Sequence, residues 1–129
     1  MGILAVLAVG CGAFAGALLR WAFGIWFNPL LPALPLGTLV SNLVGGFVIG
    51  AALGLFNQFQ SLPPEVRLFV TTGFCGGLTT FSTFSAETVT LMLRQQYGWT
   101  LAIVAAHLFG SLLMTLAGIG VVRLILKTV

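Results

Sequence analysis

The sequence predicts an all-α integral membrane protein. It forms a single domain over residues 1–129, with four transmembrane helices, the third broken at the membrane midplane, and it pairs as an antiparallel homodimer. Three observations carry that expectation. Only 5% of the residues are charged and 59% are hydrophobic, whereas soluble domains carry about 25% charged residues. Residues 21–64 contain no charged side chain, and in residues 95–122 the only ionisable ones are Tyr97 and His107. Finally, the run Gly76-Gly77-Leu78-Thr79-Thr80-Phe81-Ser82-Thr83-Phe84-Ser85 places glycines, hydroxyls and phenyl rings together inside an apolar segment. Polar groups at bilayer depth are expensive, so they face a partner or a pathway.

The first helix is expected over 3–26, because this apolar stretch exceeds the roughly 20 residues a span requires. Its beginning lacks the positive n-region of a cleavable signal peptide, so it reads as a retained helix. Gly12 and Gly16 stand four apart, a spacing that lets two helix backbones approach closely. Arg20, Trp21 and Trp26 fall toward its end, where a membrane–water interface is expected. The proline-rich stretch 28–35 reads as a stiff loop.

The second helix is expected over 37–56, with Gly46, Gly50 and Gly54 as another small-residue face and Thr38, Ser41 and Asn42 near its start. Pro63-Pro64 closes the following loop. The third segment, 66–94, is long for one span, and its glycines point to two half-helices with a non-helical break over about 76–80. Unwound backbone is tolerated at membrane depth only where it is buried in protein or lines a cavity. The fourth helix is expected over 99–126. There His107, Ser111 and Thr115 share one stripe, since residues four apart lie on one helix face.

Charge sets expectations for topology and partners. With four spans, Arg67, Arg123 and Lys127 flank one side of the membrane and Arg20 and Arg94 the other. The positive-inside rule orients a chain by an excess of Lys and Arg. This near-balance reads plainly as a small protein whose orientation is weakly specified, and more sharply as a chain that inserts in both directions and assembles as an antiparallel pair. The dispersed cations form no basic patch for nucleic acid. Cys11 and Cys75 stand alone and read as small buried residues. There is no Ser/His/Asp constellation, metal-ligand cluster or phosphate loop, so an enzyme is not expected.

Thr79, Thr80, Ser82, Thr83, Ser85, Ser111, Thr115 and Asn42 supply many neutral donors, which can replace a small anion's hydration shell without trapping it. Ser and Thr also bond their own helix backbone, so each hydroxyl has a structural reading beside the functional one. Phe81 and Phe84 lie three apart. The positive edges of their rings can face an anion, or the rings can simply pack. Glu87 and Arg20 are the charges nearest membrane depth. Arg20 can snorkel to the interface, and Glu87 is the harder of the two to place in lipid.

The stretches Gly37 to Gly46 and Gly73 to Glu87, with the early Arg20 and the Gly110-Ser111 to Thr115 stretch, resemble the Fluc fluoride channels over essentially the whole chain. The resemblance implies antiparallel dual-topology homodimers with two fluoride pores, used for passive fluoride export through the cell's inner membrane. It implies that Asn42, Phe81 and Phe84 line the pore, with Ser82, Thr83, Ser85, Glu87, His107, Ser111 and Thr115 near its polar track. It also implies that Arg20 lies near the vestibule. A structural Na+ at the dimer centre is implied too, held by backbone carbonyls at positions matching Gly76 and Thr79. The alternative is a proton-coupled dual-topology small multidrug exporter, which would want a carboxylate in the first helix, where this chain has none. A non-transporting assembly subunit would explain the glycine faces but not the hydroxyl–phenylalanine run.

Overall fold

The structure, a computed structural model, describes residues 2–127. Helix α1 spans Ile3–Phe27 and gives way to a 3-10 turn over Asn28–Leu30, where Pro29 cannot continue the hydrogen-bond ladder. The Asn28 side chain then accepts from the Gly37 N–H at 2.8 Å. It thus satisfies one of the donors that the start of α2, Leu36–Gln58, leaves open. At the far end of α2, Nη2 of Arg67 donates to the carbonyls of Phe56, Phe59 and Gln60 at 3.4, 3.2 and 3.3 Å. Its guanidinium lies 5.0 Å from the centre of the Phe56 ring. One arginine therefore closes both the helix end and the loop.

The third segment begins as α3, Pro64–Leu68, with proline at its first position, where a missing N–H costs nothing. It widens into a π-helix over Phe69–Cys75 and returns to α-helical geometry in α4, Gly76–Leu78. The break is narrower than the 76–80 expected from the glycines. Gly76 and Gly77 stay helical, and only Thr79 (φ −84°, ψ 155°) and Thr80 (φ −154°, ψ 117°) are extended. Helix α5, Phe81–Leu93, starts on the Thr80 cap. A tight turn with Gln95 at φ 57° then leads into α6, Tyr97–Lys127.

Glycine decides the packing. A Cβ on Gly12, Gly16, Gly73 or Gly77 would overlap backbone atoms across the contact between α1 and the third segment. The same holds for Gly50 and Gly118 between α2 and α6. Such close approach is how helices associate where lipid removes the hydrophobic drive between them. The expected faces at Gly12/Gly16 and Gly46/Gly50/Gly54 are therefore occupied, the first by the third segment and the second by α6.

Among the described residues, three helices are long and apolar enough to cross a membrane, each with a mean hydropathy of 2.0. Their large side chains point mainly outward, as with Leu113, Leu116 and Leu124 on α6. This is the pattern of helices solvated by lipid rather than water. The chain is an all-α, multi-pass membrane protein.

Candidate functional site

The break in the third segment is held by one side chain. Oδ1 of Asn42 accepts from the Thr80 N–H at 2.8 Å, and its Nδ2 donates to the Thr80 carbonyl at 3.1 Å. Asn42 thus treats the extended residue as a neighbouring strand would. The Thr80 N–H is consequently not available to the Gly76 carbonyl four residues earlier, the partner a continuous helix would give it. The Thr80 hydroxyl caps α5, accepting from the Thr83 N–H at 3.1 Å, a role threonine fills well. That hydroxyl donates to Oγ1 of Thr83 at 3.1 Å. With its one proton spent, it can only accept from Ser82, 3.3 Å away. Thr79 precedes the cap, so its carbonyl lies outside the α5 ladder, while its own hydroxyl donates to the Cys75 carbonyl at 2.8 Å.

Two recesses meet at Thr80. The larger, about 660 Å³, is lined by Asn42, Gly76, Thr79, Thr80, Phe81, Phe84, His107 and Ser111, with Gly45, Gly46, Ile49, Thr71, Cys75 and apolar residues of α6 completing the wall. Inside it the Phe81 and Phe84 rings meet edge-on, centroids 5.5 Å apart at 67°, an arrangement aromatic quadrupoles favour. Phe84 also lies against the His107 ring at 4.4 Å, while Phe81 is 79% exposed. His107 is buried, its Nδ1 3.0 Å from Nδ2 of Asn42.

The smaller recess, about 270 Å³, is lined by Arg20, Trp21, Thr38, Thr80 and Thr83 with Ala17 and Gly24. Nε of Arg20 donates to the Gly77 carbonyl at 3.0 Å, placing a cation at the carbonyl end of a helix, where the dipole favours one. Next to this recess the Thr38 hydroxyl donates to Oε1 of Glu87 at 2.5 Å. Oε2 of Glu87 and Nε2 of His107 are buried and lack a hydrogen-bond partner among the described residues.

The residues singled out in the sequence therefore fall into groups. Asn42, Gly76, Thr79, Phe81, Phe84, His107 and Ser111 share the larger recess, and Arg20 and Thr83 the smaller one. Glu87 is joined to the smaller recess through Thr38. Ser82 and Ser85 sit on the exposed side of α5. Thr115 lines neither recess, and its hydroxyl donates to the Ser111 carbonyl at 3.0 Å. Two residues matter more than the sequence indicated: Thr38, as the partner of Glu87, and Thr80, as the wall common to both recesses. Thr38 stands one helical turn before Asn42, which was the available signal. No group of three His, Cys, Asp or Glu side chains that could hold a metal occurs among the described residues, so a cation bound there would rely on carbonyl and hydroxyl oxygens.

The family model described as "CrcB-like protein, Camphor Resistance (CrcB)" matches residues 7–119, a range that contains Arg20, the break and Thr115. This chain belongs to the CrcB-like family. Similar chains within it include a protein of Nitrosospira multiformis, 62% identical over 123 residues that cover 95% of this chain and 96% of the relative. A Pseudomonas aeruginosa protein is 56% identical over 114 residues, 88% of this chain and 90% of its own. A Nitrosomonas europaea protein is 53% identical over 117 residues, 91% of this chain and 92% of its own. Each of the three bears the name fluoride-specific ion channel FluC. In this CrcB-like chain, both recesses and the Asn42 clamp lie inside the matched region.

Proposed function

We propose that this chain is a fluoride channel that lets fluoride leave the cell passively through a bacterial inner membrane, with two pores per antiparallel homodimer. The observation that carries the reading is the Thr79–Thr80 break, clamped by Asn42 beside the edge-on pair of Phe81 and Phe84. The names of the full-length relatives supply the ion.

The chemistry follows from what an anion needs. Fluoride surrenders hydration only where other donors replace it, and conduction requires those donors to release it again. Arg20 on the smaller recess supplies a positive field that draws an anion toward the membrane. Thr83, Ser85 and Ser111 offer hydroxyl protons without a fixed positive charge that would hold the ion, while Ser82 beside them gives its proton to Thr80. The edges of Phe81 and Phe84 add weakly positive walls whose spacing discriminates by size. On this reading Glu87, His107 and Thr115 act beside the path rather than as its main donors.

Na+ fits the same segment as a structural ion at the dimer centre. The Gly76 carbonyl loses its helical donor to Asn42, the Thr79 carbonyl lies outside the α5 ladder, and nothing stands within 4 Å of a Cβ built on Gly76. When bound, the ion would supply only a central positive charge that draws these carbonyls together from two copies. The exposed face around Phe81 supports a second copy as its cover. Dimer dissociation measured in Na+ against a large organic cation tests this part.

A proton-coupled drug exporter is not favoured, since the only charged residue of α1 is Arg20. The deciding experiment loads liposomes carrying the purified protein with fluoride or chloride. Rapid fluoride release with chloride retained is expected, and equal leakage of both ions, or of neither, overturns the channel.

A further inference from the structure

We propose that His107 is the positioning residue of the break. It acts as a neutral imidazole protonated at Nε2, whose Nδ1 lone pair fixes the Asn42 amide, so that protonating the ring unlatches Asn42 from Thr80. The proposal rests on the channel reading for its flux consequences but not for the tautomer itself.

A chain of forced hydrogen-bond roles leads there. The backbone of Thr80 presents a donor and an acceptor that no titration changes. They fix the Asn42 amide, because the opposite orientation would face NH2 with N–H and carbonyl with carbonyl. With that orientation set, the atom 3.0 Å from His107 Nδ1 is the amide nitrogen, a donor, so Nδ1 must accept. A neutral ring then carries its proton on Nε2. That nitrogen is buried with no partner among the described residues, so nothing on its side competes with Asn42 in choosing the tautomer. The ring cannot swing away freely, being 5% exposed and held against Phe84 at 4.4 Å.

Adding a second proton reverses the argument. Nδ1–H would then meet the Asn42 NH2, donor against donor. The contact is restored only if the amide turns over, which breaks both bonds to Thr80. Few titratable groups face the ring from the elements packed around it. Helix α2 carries none, and the only one on α5 is Glu87, whose Oε1 accepts from Thr38 while its buried Oε2 has no hydrogen-bond partner among the described residues. The third segment contributes Cys75 on the same recess wall, with Glu65 and Arg67 far off at its loop end. On α6 itself Tyr97, Arg123 and Lys127 lie two or more turns away.

Two measurements test this on the intact membrane protein. With 15N-labelled histidine at neutral pH, the single His107 is expected to show the Nε2–H tautomer. An Nδ1–H tautomer, or a doubly protonated ring, overturns the proposal whatever the protein conducts. Fluoride efflux from liposomes, corrected for protein-free vesicles, is expected to fall about tenfold between about pH 8 and the acidity at which the 15N signal shows the ring doubly protonated. His107→Gln keeps a carbonyl acceptor at every pH. It should conduct less than the unaltered chain, for want of the Phe84 contact, yet more than His107→Leu, and without the acid loss. An equal acid loss in His107→Gln, or His107→Leu as active as His107→Gln, overturns the latch. An unaltered chain that carries no fluoride at neutral pH sinks the channel reading instead, while the labelled histidine still decides the tautomer.

Discussion

Nε of Arg20 donates across 3.0 Å to the carbonyl of Gly77, tying the only charge on α1 to the helical turn that ends at the break. The link joins two elements already pressed together at Gly16 and Gly77, so the arginine cannot drift without disturbing that contact. It also explains why a lone cation tolerates its place. The guanidinium finds a carbonyl inside the protein, and the residue also lines the smaller recess.

Replacing Arg20 with Ala should therefore cost stability and flux together. The lost hydrogen bond sits toward the low end of the about 1.5–3 kcal/mol typical of charged groups, because the side chain is partly exposed. Fluoride efflux should drop about tenfold as the local positive field disappears. Arg20→Lys keeps the charge but not the planar fork, so it should recover part of the flux and little of the melting temperature. Full flux in both variants would remove Arg20 from the pathway.

Asn42 and Thr80 can be separated by experiment. Asn42→Ala strips partners from the Thr80 N–H, the Thr80 carbonyl and His107 Nδ1 at once. Each polar group left unpaired away from water costs about 1–3 kcal/mol, so a large fall in thermal stability and loss of fluoride efflux are expected. Thr80→Val keeps the backbone clamp and removes only the cap of α5, worth about 0.5–2 kcal/mol. Melting in detergent should rank the unaltered chain above Thr80→Val, and Thr80→Val above Asn42→Ala. The reverse order would mean that the cap, not the clamp, holds the break.

The sequence made the class and the glycine faces legible because both follow from simple counting. The scarcity of charge requires lipid, and small residues four apart require a neighbour. It misjudged the extent of the break for a physical reason. Gly76 and Gly77 look like helix breakers, but both keep helical geometry, and Gly77 is small because α1 runs alongside it at Ala13, whereas Gly76 faces open space. The unwinding falls instead on Thr79 and Thr80, where a partner from α2 supplies the hydrogen bonds the helix gives up. That partner is distant in sequence, so no local propensity reports it. The π-helix over Phe69–Cys75 left no signal either. The pairing of Thr38 with Glu87 was half visible, since the carboxylate plainly needed a partner but the choice among hydroxyls is made by the fold.

The two phenylalanines should fail differently. Phe81→Ile removes a ring that is 79% exposed within one chain and gives up its edge-on contact with Phe84, so fluoride flux should fall strongly with a smaller drop in the melting of the protomer than Phe84→Ile causes. Phe84→Ile also removes the face against His107 at 4.4 Å, and a contact of that kind is worth about 0.5–1.5 kcal/mol. Its flux loss should come with a measurable drop in stability. Undiminished flux in both variants would take the rings out of the mechanism.

Glycine substitutions test the packing independently of any ion. A methyl group on Gly50 would run into the backbone of Thr115, and one on Gly118 into the backbone of α2 at Phe47. Backbone cannot move aside as a flexible side chain does, so α2 and α6 would have to separate, at a cost of about 1–3 kcal/mol or more. Gly120, on the same helix as Gly118, has nothing within 4 Å of its would-be Cβ. There alanine only improves helix propensity, by up to about 1 kcal/mol. Gly50→Ala and Gly118→Ala should therefore lower the melting temperature in detergent, while Gly120→Ala leaves it unchanged or raises it. If Gly120→Ala were as damaging as Gly118→Ala, the face of α6 turned away from α2 would itself be tightly covered, and a second copy would have to reach Gly120 as closely as α2 reaches Gly118.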